Sequence, residues 1–195
     1  MPHNEQNMVQ RARRGDRDAF AWLLERYEKQ VYHHALRMVN NPEDAADLTQ
    51  ETFLKVWQGL PSFQGESSFS TWLFRLTGNA CSDFIRREKT RRGDLSLDGE
   101  EQNVSATLAD PAPTPQQALE NKELHRAVSQ GLAQLSEEHR QVLVLREVNG
   151  LSYEEIGQAL DLTPGTVKSR IARARLSLSK FLRQSGNFSD PPSSI

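Results

Sequence analysis

Apolar positions in the first part of the chain repeat at helical spacing. Phe20, Leu24, Tyr27, Val31 and Met38 form one stripe, filled in by Leu23 and Ala35. Gly15 and Asp16 offer a break and a cap before it, so the pattern predicts a helix over 17–39. Asn41-Pro42-Glu43-Asp44 then reads as a helix start, with a capping side chain, proline in the first turn and acids at the positive end of the dipole. On that helix Ala46, Thr49, Phe53, Val56 and Trp57 share one face, and Glu43, Asp47, Gln50 and Glu51 share the opposite one. A solvated acidic face and a docking face for a basic or polar partner both fit the second set, and periodicity does not choose between them.

Proline, glycine and serines make the stretch after Leu60 a loop, although it carries Phe63 and Phe69. The spacing predicts a helix from Ser70 or Thr71 through Lys89, with Trp72, Leu73, Leu76, Ala80 and Phe84 inward and Arg75, Asn79 and the basic end outward. Rings beside an exposed amide and cations suit single-stranded nucleic acid, because rings stack on bases, amides read their edges and cations hold phosphates. The same rings could simply be core, a reading that fits Trp72 and Phe84 well. Gly78 lies mid-helix, at a cost of up to ~1 kcal/mol in propensity, and would allow close packing or a bend. Cys81 reads as a small buried residue.

Beyond a Pro-punctuated acidic stretch, an amphipathic helix over about 117–134 and a second carrying Val142–Leu145 precede an Asn149-Gly150 turn. Ser152 with Glu155 is a capping box for a helix burying Tyr153, Ile156 and Leu160. A short turn follows, and Thr163-Pro164 opens a helix whose Val167, Ile171, Ala174 and Leu178 form one apolar face. Two short helices across a tight turn are the helix-turn-helix signature, whose second helix enters the major groove. The wheel turns Ser169, Ala172 and Arg173 outward, flanked by Lys168, Arg170 and Arg175.

Composition adds less than charge placement. The chain has 195 residues, 26% of them charged, and a net charge of -2, so no overall basic excess points to nucleic acid. The cations are nonetheless clustered: Arg86, Arg87, Lys89, Arg91 and Arg92 before the acidic stretch, and Lys168, Arg170, Arg173, Arg175, Lys180 and Arg183 near the other end. Two basic patches separated by an acidic tether suggest two contacts with one polyanion. The expected fold class is therefore all-α: a helical domain over 1–93, a flexible acidic linker over 94–116 that could extend about 80 Å, a helix-turn-helix domain over 117–185, and a disordered tail over 186–195. One cysteine excludes a disulfide framework. The five histidines show no metal-ligand spacing, and no phosphate-binding glycine loop or nucleophile elbow appears, so neither an enzyme nor a metal or other cofactor is expected. No apolar run spans a membrane, and the polar start is not a secretory signal; the cytoplasm is the expected location.

Three stretches together resemble the bacterial extracytoplasmic-function (ECF) sigma factors, the envelope-stress group of RNA polymerase initiation subunits: NPEDAADLTQETFLKVW (41–57), FQGESSFSTWLFRLTGNACSDFIRR (63–87) and SYEEIGQALDLTPGTVKSRIARARLSL (152–178). The resemblance runs from about Gln10 to Leu182. It implies that the helix over 41–57 docks on the clamp helices of the largest polymerase subunit through Asp47, Gln50 and Glu51. It implies that the loop and helix over 63–87 recognise and melt the promoter −10 element, with a flipped base in a pocket at Phe63 and Asn79, and with Ser68, Phe69, Trp72, Arg86 and Arg87 around it. Lys168, Ser169, Arg170, Ala172, Arg173 and Arg175 would read the −35 element as duplex, while the helices before them meet the flap of the second-largest subunit. An anti-sigma factor, in some relatives membrane-anchored at the inner membrane, is the further partner implied. Ala172 is smaller than the aromatic or histidine of some relatives, which leaves the −35 sequence open. The alternative is a two-domain helix-turn-helix regulator that binds duplex by itself without joining polymerase.

Overall fold

Local chemistry sets the helix boundaries. The structure, a computed structural model, describes residues 2–94 and 115–185, and within them every regular element is helical. A first helix, α1, covers Pro2–Arg13 and buries Val9 and Ala12. Asp16 then accepts hydrogen bonds from the backbone N–H of Asp18 and Ala19 and starts α2, Arg17–Val39. Asn40 ends α2 in the left-handed region, and Asn41 caps α3, Pro42–Gly59, with Pro42 in its first turn. A single 3-10 turn, Leu60–Ser62, leads through the 63–68 loop to α4, Phe69–Asp94. In the second part come α5 (Pro115–Ala133), α6 (Glu137–Glu147), α7 (Tyr153–Leu160) and α8 (Pro164–Gln184). Most of the predicted linker and all of the predicted tail lie outside the described residues. Among the described residues no helix is long and apolar enough to cross a membrane.

Helix α2 is the axis of the molecule. Its stripe of Leu23, Tyr27, Val31, Ala35 and Met38 is buried, as the periodicity predicts, while Phe20 and Leu24 are half-buried. It packs against α1, α3, α4, α5 and α6. Each large side chain fully buried there stabilises the fold by roughly 1.5–3 kcal/mol. The face of α3 differs from the sequence reading by part of a turn. Ala46 is exposed, and Ala45, Leu48 and Thr52 join Thr49, Phe53 and Val56 inside. The wedge between α2 and α4 covers more than one side of α3, which a single-stripe wheel does not capture.

The two halves do not sit apart. One cluster joins Val31 and Phe74 of the first half to Val142, Leu145, Ile156, Val167 and Ile171 of the second. Another sets Val144 beside Ala35, Met38 and Ala80. Polar bonds line the same seam. His34 Nδ1 lies 2.6 Å from Asn149 Oδ1, the ring N–H donating. Arg37 donates to Ser129 Oγ at 2.9 Å. Arg140 donates to the carbonyls of Met38 and, at 2.9 Å, Ala133, satisfying groups at the ends of α2 and α5. Gly78, the mid-helix glycine, is a point of close approach: a Cβ there would stand 2.6 Å from Gln141 Nε2.

Candidate nucleic-acid and partner interfaces

Three surfaces carry the residues singled out in the sequence. The helix-turn-helix is built by local rules. Ser152 and Glu155 form the reciprocal capping box at the start of α7. Asp161 ends α7 with φ 54°. Gly157 is required at the turn, because a Cβ there would meet the Leu162 carbonyl oxygen at 2.7 Å. The Thr163 side chain then accepts from the Thr166 N–H and starts α8. Val167, Ile171 and Ala174 are fully inward, which leaves Lys168, Ser169, Ala172 and Arg173 exposed along one side. The other two predicted cations are held against α6. Arg170 is half-buried, with an ion pair to Glu138 at 3.0 Å, and Arg175 pairs with Glu147. The predicted set of six therefore divides into four residues on an open face and two braced from behind.

The second surface surrounds the start of α4. Phe63 is half-buried and lies over Trp72, with ring centroids 4.8 Å apart and planes inclined by 29°. Phe69, expected beside a nucleic-acid strand, is instead buried at 5% exposure, and Trp72, for which the core reading fits as well, is buried at 8%. Phe69 packs against Tyr27, with centroids 5.5 Å apart. Ser68 is the cap of α4: its Oγ accepts from the Thr71 N–H at 3.1 Å and lies 2.8 Å from Thr71 Oγ1. Asn79 is exposed seven residues along from Trp72, about 10 Å up the same side of the helix. Arg86 and Arg87 are exposed a further two turns along, with Arg86 paired to Asp83. Cys81 is fully buried, and burial pushes its thiol up to about 12.

The third surface is the outer face of α3. Asp47 and Gln50 are exposed, and Glu51 is half-buried with an ion pair to Lys55 at 2.7 Å. Leu54, on the same face, is 63% exposed. The sequence reading missed it. The available signal was a leucine placed at i+3 and i+4 from Glu51 and Gln50, on a face otherwise polar. On the second half, Val128, Leu132, Leu143, Val144 and Leu178 floor a groove of about 530 Å³ between α5, α6 and α8.

Among the described residues the chain is helical throughout, with a capped helix-turn-helix, an outward cationic face on its second helix and a separate acidic-apolar face, the arrangement of a helix-turn-helix protein. Residues 23–91 match the family description "Sigma-70 region 2", and residues 125–178 match "Sigma-70, region 4". The chain is 37% identical over 174 residues to an ECF RNA polymerase sigma-E factor of Haemophilus influenzae, covering 88% of this chain and 91% of that protein. It is 35% identical over 182 residues to an RNA polymerase sigma-H factor of Pseudomonas aeruginosa, covering 92% and 94%. Its fold is similar to that of the Bartonella quintana sigma factor RpoE, solved in complex with the anti-sigma factor NepR, with a TM-score of 0.66, 24% identity and coverage of 84% and 96%. The chain belongs to the ECF sigma factor family. Its members are transcription initiation factors.

Proposed function

We propose that this chain binds core RNA polymerase and directs it to promoters by reading two DNA elements with two separate surfaces. The open face of α8 reads the −35 element as duplex. Arg173 pairs with a base edge, Lys168 and Ser169 hold phosphate or base, and Ala172 permits close approach or meets a thymine methyl. The start of α4 holds the melted −10 strand. Phe63 offers the stacking ring and Asn79 the edge-reading amide, with Arg86 and Arg87 on the backbone, and a flipped base enters beside Phe63. Phe69, Trp72 and Ser68 shape that surface from beneath, through packing and capping. Asp47, Gln50, Glu51 and Leu54 dock on the clamp helices of the largest subunit, and the α5–α6–α8 groove meets the flap of the second-largest. An anti-sigma factor, the partner in the Bartonella quintana complex, covers these polymerase-facing surfaces in the restrained state. The polymerase, not this chain, does the chemistry.

The observation that carries this reading is the outward α8 face, with Lys168 and Arg173 exposed and given no acidic partner among the described residues. The test is purified core polymerase plus the full chain on promoter templates. Promoter-specific transcripts that depend on the added chain are the expected result. Sequence-specific duplex binding by the isolated chain, with no binding to core, would instead favour a free-standing helix-turn-helix regulator.

A further inference from the structure

Arg37 lines the groove between α5, α6 and α8 without the counter-ion its position calls for. The side chain is half-buried, and burial alone draws its pKa below the ordinary value. Neither of its polar contacts is a carboxylate: it donates to Ser129 Oγ at 2.9 Å and lies 3.5 Å from His125 Nδ1. Among the described residues no acid pairs with it. A partly desolvated charge ordinarily has an opposite charge beside it, because lost hydration is costly.

The rest of the groove shows what would supply that charge. Its other cation, Arg175, is matched by Glu147. The charged side chains lining the groove therefore leave one positive charge over, that of Arg37. Val128, Leu132, Leu143, Val144, Val148 and Leu178 make the floor apolar. The volume of about 530 Å³ lies within the range of small-molecule sites, which are mostly apolar with a few placed polar groups. An apolar trough with one unmatched guanidinium suits a hydrocarbon tail with one anionic head. A carboxylate brings a single charge in a planar shape that a guanidinium grips with two parallel hydrogen bonds, whereas a phosphate monoester brings nearly two charges.

We propose that this groove binds a free aliphatic carboxylate of medium chain length, one molecule per chain, with its head on Arg37 and its tail along the α5–α6–α8 floor. The functional reading above assigns the same groove to the polymerase flap. On that reading the bound acid competes with docking on core.

The test is calorimetric titration of the full chain, without polymerase, with octanoate and decanoate as monomers. Both should saturate at one molecule per chain. Decanoate should bind about tenfold or more tighter than octanoate, since each buried methylene contributes about fourfold. Octanol, with the same tail and no charge, should bind about tenfold or more weaker than octanoate. Arg37→Met keeps an apolar stem and should make octanoate and octanol bind alike, an equality that impaired folding does not produce. Val148→Glu, at a rim position that is 37% exposed, should weaken octanoate about tenfold with the denaturation midpoint unchanged. No saturable heat with either acid, octanol binding as tightly as octanoate, or capture of the chain only by oleate-bearing vesicles would each overturn the proposal. With core polymerase added, decanoate should raise the apparent Kd of the chain for core in proportion to its occupancy. Binding of decanoate with no change in core affinity would overturn the competition, and with it the flap assignment of the groove, while the acid site stands.

Discussion

Helices α4 and α8 are the two longest elements with basic ends and proposed DNA contacts, yet they divide their side chains differently. On α8 the apolar and polar roles are cleanly separated: Val167, Ile171 and Ala174 are inside, and Lys168, Ser169, Ala172 and Arg173 are outside. On α4 the two roles overlap. Trp72 is packed at 8% exposure yet forms the floor on which the half-buried Phe63 lies. A duplex reader needs a helix face that fits a groove, so short polar and cationic residues suffice. A reader of unstacked bases needs rings, and rings left in water would collapse into the core. The fold resolves this by burying one ring to hold another at the surface. Residues that look alike in sequence therefore have different duties, and mutation can separate them.

The largest effect should come from the buried ring. Trp72→Ala should cost about 3–5 kcal/mol, the range for deleting a large core aromatic, read as a lowered denaturation midpoint. Phe63→Ala should cost far less stability, on the order of the 0.5–1.5 kcal/mol that an aromatic pair contributes beyond area. It should still impair promoter opening more than duplex docking. If Phe63→Ala destabilised the chain as much as Trp72→Ala, the floor-and-ring distinction would fail.

A second contrast separates the seam from both reading surfaces. Burial holds the His34 imidazole down at about 4, its bond to Asn149 opposing the shift only in part. The folded form thus favours the neutral ring, while the unfolded chain takes up a proton near the ordinary value of 6.5. The stability from keeping His34 neutral is complete above pH 6.5. It is lost as pH falls from there toward 4, to a total of about 3 kcal/mol. The ring faces Asn149, Phe74 and the Gly78–Gln141 approach, none of them charged. Denaturation midpoints measured across this window should fall with acid. His34→Leu combined with Asn149→Leu should flatten the profile, because replacing both partners leaves no orphaned polar group. A slope unchanged in the double variant would place the titration elsewhere.

The sequence made the local devices legible and left the long-range ones hidden. The Asp16, Asn41, Ser152 and Thr163 caps were readable because each acts within three residues, and α2 runs over the predicted 17–39. Helix α1 escaped because its polar run buries little besides Val9 and Ala12, too few to set a period. The offset on α3, with Ala46 out and Ala45 in, reflects burial on two sides. The seam could not be read at all: His34 and Asn149 are 115 residues apart, and nothing local in either marks the other. Leu54 was visible only as an oddity on an acidic face, and Phe69, in the same loop stretch, looked as available as Phe63 until packing distinguished them, whereas the inward placement of Trp72 was already legible from its helical spacing.

The smallest effects should divide the cations of α8. Arg173→Ala removes the proposed base-edge contact from the open face, and a good contact of that kind contributes about 1–3 kcal/mol of discrimination. The loss should appear as weaker transcription from promoters with a consensus −35 element and as tolerance of changes at one base position. Arg175 differs because its guanidinium is already held by Glu147 on α6, an exposed pair. Such pairs contribute roughly 0–1 kcal/mol. Arg175→Ala should shift stability by less than that and leave −35 preference unaltered, with at most a uniform weakening that high salt hides. Measuring both variants on matched templates, with and without the −35 element, distinguishes the two roles. Should Arg175→Ala relax base preference as Arg173→Ala does, the reading face extends two residues, about half a turn, further along α8 than Arg173, and the pair with Glu147 opens on DNA.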